Sequence, residues 1–244
     1  MNNTHGPKQW YEFYPILQFL NTHDLDDDTY YGFLSPKFFE KTGVLGKDLH
    51  QLIQHHAIDA NGNSVDVFLS SVGHGALAYH QNLFYQGDQA HSGLLALSQQ
   101  VLDRLNVNIN LTNLVTTNYS SAFCNYIVAK KSYWQAWHQL ANGFYRLVEE
   151  DETEFGQALR AMTDYDGNQA AMRTFIQERF VEVILAMSPF RTMPFGRELT
   201  LFQAESRSVL ALCHLFKVKY QNSSDPTDLI VYQRLRELVS FTAS

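Results

Sequence analysis

The chain has 244 residues, of which 45% are apolar and 18% are charged, so it carries enough apolar material for a packed core. Its formal net charge is −7 and its longest basic run is Lys130-Lys131. A nucleic-acid-binding surface needs a basic patch, so we exclude nucleic acid as a partner. No stretch has the composition of a linker, which predicts one domain over residues 1–244.

Two further observations bear on the cellular compartment. No window approaches the ~20 apolar residues of a membrane span, and the first residues lack the basic and apolar segments of a signal peptide. Cys124 and Cys213 are each flanked by apolar residues, which is typical of buried thiols in a reducing compartment, and we take neither as a nucleophile. The sequence therefore predicts a cytoplasmic protein without a transmembrane segment, and leaves open a peripheral association with the inner membrane.

The first 130 residues alternate between helical and strand-like patterns. Pro15 stands near the start of a short apolar-periodic stretch that predicts a helix. Aromatic and β-branched runs that end in turn residues predict strands. The predicted strands cover residues 30–35, 65–71 and 122–129, and the predicted helices between them cover residues 43–56, 75–86 and 91–105.

The C-terminal half has mainly helical periodicity. Ser132 and Gln135 have the spacing of a capping box, and Trp134 begins an apolar face that continues to Val148. A second helix is predicted over residues 169–187, with Arg179 on the flank of its apolar stripe. Two more are predicted over 199–218 and 227–240. Together these patterns predict an α/β fold with a small central sheet and a largely helical C-terminal half.

Polar residues follow or precede the predicted strands, where open α/β folds bind their ligands. A semi-buried arginine at position 179 would in addition need an anion or a carboxylate partner. The candidate site residues are Ser35, Lys37, Lys41, Thr42, Asn82, Gln86, His91, Asn125, Tyr126, Glu178 and Arg179.

The familiar metal and nucleophile motifs are missing. Acidic residues cluster at positions 24–28, but they precede a strand rather than cap one, and the spacing of a calcium loop is not met. The ten histidines show no zinc spacing, and neither a nucleophile elbow nor a phosphate-binding loop occurs. We therefore predict no metal ligands and leave the cofactor unknown.

Four segments resemble bacterial polysaccharide-assembly proteins of the glycosyltransferase-like kind found with capsule and lipopolysaccharide genes. The strand at residues 125–130 with the aromatic helix after it is similar to the acceptor-side region of GT-A-type transferases. The similar segments are YYGFLSPKF at 30–38 with KTG at 41–43, NLFYQG at 82–87 with His91, NYIVAK at 125–130 before Trp134, and FIQERF at 175–180.

This resemblance implies a single GT-A-like α/β domain that uses a nucleotide-sugar donor and a glycan or lipid-linked acceptor in surface-polysaccharide synthesis. It implies that Lys37, Lys41 and Arg179 neutralise the donor diphosphate. It also implies that Glu178 or Asp66 deprotonates the acceptor hydroxyl. The chain departs from the family pattern because no Asp-x-Asp pair caps a strand and because little precedes the first strand, which suggests N-terminal truncation and leaves a divalent metal open.

Two alternatives remain at this point. The first is a non-catalytic scaffold that binds a protein partner in a polysaccharide-assembly complex, which the missing Asp-x-Asp pair favours. The second is a carbohydrate hydrolase that uses Asp66 and Glu178 as a carboxylate pair, which requires the two groups to lie within ~5–10 Å of each other.

Overall fold

The computed structural model describes residues 7–70, 74–165, 167–195 and 204–239. Parts of predicted elements at residues 71, 199–203 and 240 lie outside these ranges. After a short 3-10 turn at Lys8–Trp10, the helices are α1 Phe13–Thr22, α2 Phe38–Thr42, α3 Gly46–His56, α4 His74–Tyr79, α5 Leu83–Ala90, α6 Leu94–Arg104, α7 Lys131–Glu150, α8 Glu154–Arg160, α9 Met172–Gln177, α10 Phe180–Met187, α11 Ala204–Ser223 and α12 Pro226–Glu237. The strands are β1 Tyr31–Gly32, β2 Val67–Ser70, β3 Ile127–Ala129, β4 Met162–Tyr165, β5 Asn168–Ala171 and β6 Thr192–Phe195.

Four of these strands form a small mixed sheet in the order β1-β3-β2-β6. Strand β3 is antiparallel to both of its neighbours, with Ala129 opposite Tyr31 on one side and opposite Val67 on the other. Strands β2 and β6 are parallel. The carboxyl ends of β1, β2 and β6 therefore lie at the same edge of the sheet as the amino end of β3, and we call this edge the cleft edge.

The sheet separates two apolar clusters because successive side chains of a strand point to opposite faces. Val67 and Leu69 of β2 face the larger cluster, which α7 covers with Trp134, Trp137 and other residues. Phe68 lies between them and faces a smaller cluster against α2 and α3. The predicted apolar face of α7 is buried over its whole length. The predicted α/β class, with a small sheet and a helical C-terminal region, is confirmed.

The predicted helix over residues 169–187 is wrong at both its start and its middle. Strands β4 and β5 form a hairpin, with Met162 opposite Ala171, and Gly167 in its turn has a φ of +76° that favours glycine. The remaining segment is divided into α9 and α10 at residues 178 and 179. Met187, the last residue of α10, is 52% exposed.

One smaller prediction also fails, and one strand was missed. Helix α7 begins at Lys131 with Lys130 as its N-cap residue, so Ser132 lies inside the helix and forms no capping box. Strand β6 was not predicted, because its sequence contains proline and shows no alternation of apolar and polar residues.

Candidate functional site

A cleft of about 430 Å³ opens at the cleft edge of the sheet. Its wall comes from the segment after β1, the residues that lead into β3, the start of α1, the hairpin and α9. The lining residues are Tyr11, Glu12, Ser35, Pro36, Lys37, Lys41, Cys124, Tyr126, Gln169, Ala170, Thr174, Phe175 and Glu178. Five predicted site residues therefore line one cavity although they are up to 143 positions apart in sequence. They are Ser35, Lys37, Lys41, Tyr126 and Glu178.

The segment after β1 supplies the two cations of the cleft. Lys37 is the N-cap residue of α2, and the backbone N–H of Lys41 donates to the carbonyl of Lys37 over 3.0 Å. Residues four apart on a helix lie on one side, so both lysines reach the same cavity. Both side chains are exposed to solvent. The sequence order strand, Ser-Pro and short helix is thus sufficient to place them.

A tight backbone turn brings Cys124 and Tyr126 to the cleft. Cys124 and Asn125 have φ values of +56° and +54°, a left-handed conformation that is uncommon for residues with a side chain. The chain then enters β3, and the hydroxyl of Tyr126 shares a hydrogen bond of 2.8 Å with that of Ser35. Burial raises the pKa of Tyr126 above its usual value, so this hydroxyl stays protonated. The pair provides neutral hydrogen-bonding groups beside the two lysines.

Cys124 is a cleft residue that the sequence interpretation missed. Its thiol lies 3.2 Å from the ammonium of Lys41, and the side chain is partly exposed rather than buried. Desolvation and then the nearby Glu178 raise the pKa of the thiol, and Lys41 opposes them. The neutral thiol is therefore the dominant form at pH 7, so Cys124 lines the cleft without being a strong nucleophile. The flanking residues gave no signal of this position, because it depends on the left-handed turn.

Glu178 provides the cleft with a carboxyl group whose pKa is raised. It follows the last residue of α9, and the helical path is interrupted there before α10 begins. Desolvation raises the pKa of Glu178 to about 7; Arg179 and Lys41 oppose this shift, and Glu12 adds to it. A carboxyl group with a pKa near the working pH can both accept and release a proton, as a general base must.

Arg179 lies next to Glu178 in sequence but points away from the cleft. Its guanidinium donates to the carbonyl oxygens of Leu83 and Phe175 over 2.7 Å and 2.5 Å, and to the side chain of Gln86 over 3.0 Å. Both residues lie at the interruption between α9 and α10, where Glu178 lines the cleft and Arg179 bonds toward α5. The prediction that Arg179 is buried is confirmed. The structure gives it a role in joining α5 to α9, so we remove it from the donor-binding set.

Five other predicted site residues hold the framework together and do not line the cleft. Their polar groups bond to nearby backbone or side chains, since buried polar groups require partners; the exception is Oδ1 of Asn125, which has no hydrogen-bond partner among the described residues. Thr42 donates to the carbonyl of Phe38, Asn82 caps α5 and donates to Leu111 and Leu114, Gln86 accepts from Arg179, His91 stacks on Phe175 and bonds to Thr163, and Asn125 donates to Gln177.

Asp66 lies at the opposite edge of the sheet. It precedes β2, and its carboxylate accepts from the backbone N–H of Arg191 over 2.9 Å. Strand β2 runs toward the cleft edge, so its first residues are one strand length, roughly 10–13 Å, from that edge. Asp66 does not line the cleft, so it is removed as a catalytic candidate, and the hydrolase alternative that paired it with Glu178 loses its basis.

Several other cleft residues had no sequence signal. Tyr11 and Glu12 come from the start of α1, Gln169 from the hairpin and Thr174 from α9. None belongs to a motif, and the hairpin itself was predicted as helix. Glu12 matters most among them, because its negative charge contributes to the raised pKa of Glu178.

Comparisons with protein-family models, with curated proteins and with solved structures find no match to this chain. In the described ranges, no group of three or more His, Cys, Asp or Glu side chains is arranged to hold a metal ion. The acidic residues at 24–28 lie before β1, where Asp27 forms an exposed ion pair with Lys131 at 3.3 Å. No helix of the described part combines the length and apolarity that crossing a membrane requires. The function of the chain must therefore be inferred from the geometry of the cleft.

Proposed function

We propose that the chain is a glycosyltransferase that uses a nucleotide-activated sugar in bacterial surface-polysaccharide synthesis. The observation that carries the proposal is that Glu178, with a pKa of about 7, lies in the same cavity as Lys37 and Lys41. A transferase needs a base for the acceptor hydroxyl and positive charge for the leaving diphosphate. The cleft contains both, together with the neutral hydroxyls of Ser35 and Tyr126.

In the proposed transferase reaction each of these residues has a role. The carboxylate of Glu178 takes the proton of the acceptor hydroxyl as its oxygen forms a bond to the anomeric carbon of the sugar. The bond between that carbon and the diphosphate oxygen breaks, and its electron pair leaves with the nucleoside diphosphate. Lys37 and Lys41 stabilise this added negative charge, which fixed cations can do where it develops. One O–H of the Ser35–Tyr126 pair is used between the two residues, so the pair offers the bound sugar or phosphate its other O–H as a donor and its oxygens as acceptors.

Thermal denaturation with UDP-, GDP-, CMP- and dTDP-sugars, each with and without Mn²⁺, tests donor binding. A donor present at ten times its dissociation constant stabilises the folded protein by about 1.4 kcal/mol, which raises the melting temperature measurably. The arms with and without Mn²⁺ show whether a metal takes part. If no nucleotide sugar shifts the melting temperature of well-folded protein, and a stoichiometric protein partner is captured instead, the scaffold alternative replaces this proposal.

Removing either cleft lysine is expected to weaken donor binding. A hydrogen bond to a charged group contributes about 1.5–3 kcal/mol, and both lysines are exposed, so we expect Lys37→Ala and Lys41→Ala each to raise the donor dissociation constant about tenfold. Isothermal titration with the donor identified above measures this. Lys47→Ala is the control, because Lys47 is an exposed lysine of α3 outside the cleft. Equal affinities of all three variants would contradict the assigned role of the two cations.

A further inference from the structure

A second groove, of about 560 Å³, continues from the cleft along α1 and β1. The two cavities share Tyr11, Glu12, Ser35 and Pro36, so a single ligand can occupy both. Beyond these shared residues the wall is mainly apolar and aromatic. Its remaining members are Pro15, Ile16, Phe19, Tyr31, Gly32, Phe33 and Leu34, and we call this part the apolar groove.

The chemistry of the apolar groove selects its ligand. Two oxygens of Tyr31 already accept hydrogen bonds: its hydroxyl accepts from the backbone N–H of Asp26 over 2.8 Å, and its carbonyl accepts from the indole of Trp134 over 3.0 Å. Phe19 and Phe33 pack edge to face at 5.3 Å and form an aromatic wall. A saccharide would need hydrogen bonds along this wall, whereas an alkyl chain gains from leaving water there.

We propose that the apolar groove binds the hydrocarbon chain of a lipid-linked saccharide acceptor, whose sugar hydroxyl then lies in the cleft beside Glu178. The acceptor role depends on the proposed function, while binding of the chain does not. The layout fits such a molecule because the residues shared with the cleft include the polar Glu12 and Ser35, whereas the rest of the groove wall is mainly apolar and aromatic. Of the two acceptor classes that the resemblance implies, the groove therefore favours the lipid-linked acceptor.

Calorimetric titration with n-alkyl β-D-glucosides tests the inference without any nucleotide sugar. Hexyl, heptyl, octyl and nonyl glucosides are used below their micelle concentrations, with free glucose as the reference. Each buried methylene contributes about 0.8 kcal/mol, so we expect the affinity to rise about fourfold for each added carbon until the groove is filled. An affinity that does not depend on chain length overturns the proposal.

A matched pair of variants places the binding in the groove. Leu34→Gln puts an amide into the apolar wall and is expected to lower the affinity for octyl glucoside about tenfold, since an unpartnered polar group costs ~1–3 kcal/mol. Leu215→Gln changes a leucine on α11 that is 47% exposed and outside the groove, so it should bind as the unchanged protein does. Equal loss in both variants, or a dimer that Leu34→Gln dissociates in light scattering, overturns the proposal.

The outcomes separate this inference from the proposed function. If nucleotide sugars bind but alkyl glucosides do not, the acceptor inference fails and the transferase proposal stands. If alkyl glucosides bind with the expected chain-length dependence but no nucleotide sugar binds, the transferase proposal fails and the acceptor role falls with it. Transfer of sugar to nonyl glucoside in preference to hexyl glucoside supports both.

Discussion

Replacing Glu178 by glutamine is expected to reduce the rate of glycosyl transfer about 10²–10⁴-fold, the usual contribution of a general base. Glutamine keeps the shape of the side chain but cannot accept the proton, so the donor should still bind. Because the base must be ionised, the activity of the unchanged protein should rise with pH and level off above the pKa of about 7. The transfer rate measured from pH 5 to pH 9 tests both statements.

The matched control for this change is Glu40→Gln, which neutralises an exposed carboxylate of α2 that does not line the cleft. It should retain the full rate and the rising pH profile. The profile of the Glu178→Gln variant should lose that rise, whatever rate remains. A variant that keeps a third or more of the normal rate would show that another group accepts the proton.

The same substitution should make the protein more stable in alkaline solution. Burial raises the pKa of Glu178 from 4.5 to about 7, so between these pH values the folded protein holds a proton that the unfolded chain releases. The free energy of unfolding therefore falls as the pH rises through this window, and the loss is complete above pH 7. A difference of one pKa unit corresponds to about 1.4 kcal/mol. Because the side chain is partly exposed, we expect the free energy of unfolding to fall by roughly 1–3 kcal/mol across this pH window.

Urea denaturation at pH 5 and pH 8 measures this linkage. The Glu178→Gln variant cannot ionise, so its stability relative to the unchanged protein should improve by roughly 1–3 kcal/mol between the two pH values. Glu40→Gln should show no such improvement. A functional site that destabilises the fold in this way is common, because a site is selected for chemistry rather than for packing. An unchanged difference between pH 5 and pH 8 would mean that the Glu178 carboxyl is well hydrated in the folded protein.

Replacing Arg179 by alanine is expected to lower the free energy of unfolding by about 3–5 kcal/mol. The guanidinium is buried and holds two backbone carbonyls and one side-chain oxygen, and its loss leaves these acceptors without a partner. Urea denaturation gives the value. Arg234→Ala is the control, because Arg234 is exposed and forms an exposed ion pair with Glu237. We expect it to lower the free energy of unfolding by about 0.2–1 kcal/mol, the range for such pairs.

Gly87 allows a second test of the same contact. A Cβ atom at this position would lie 2.4 Å from Nη2 of Arg179, so the guanidinium would have to move. We expect Gly87→Ala to destabilise the protein by about 1–3 kcal/mol and to have little further effect when combined with Arg179→Ala. If Arg179→Ala instead abolishes donor binding at unchanged stability, the arginine belongs to the donor site after all.

The sequence by itself determined the features that depend on neighbouring residues. The apolar spacing from Trp134 to Val148 specified the buried face of α7, since this pattern repeats with the helical period. The short segment from Ser35 to Lys41 also determined the relative positions of its two lysines. A strand end followed by one helical turn places Lys37 and Lys41 on the same side. Their membership of a cavity could therefore be predicted.

Only the tertiary structure decided which distant residues join them. The antiparallel direction of β3 and the order of the sheet put Asp66 at one edge and Tyr126 at the other. The hairpin of β4 and β5 replaces the start of the predicted long helix. The interruption at residues 178 and 179 places Glu178 in the cleft and directs Arg179 toward α5. Strand direction and hairpin pairing arise from contacts between residues far apart in sequence, so local periodicity does not predict them.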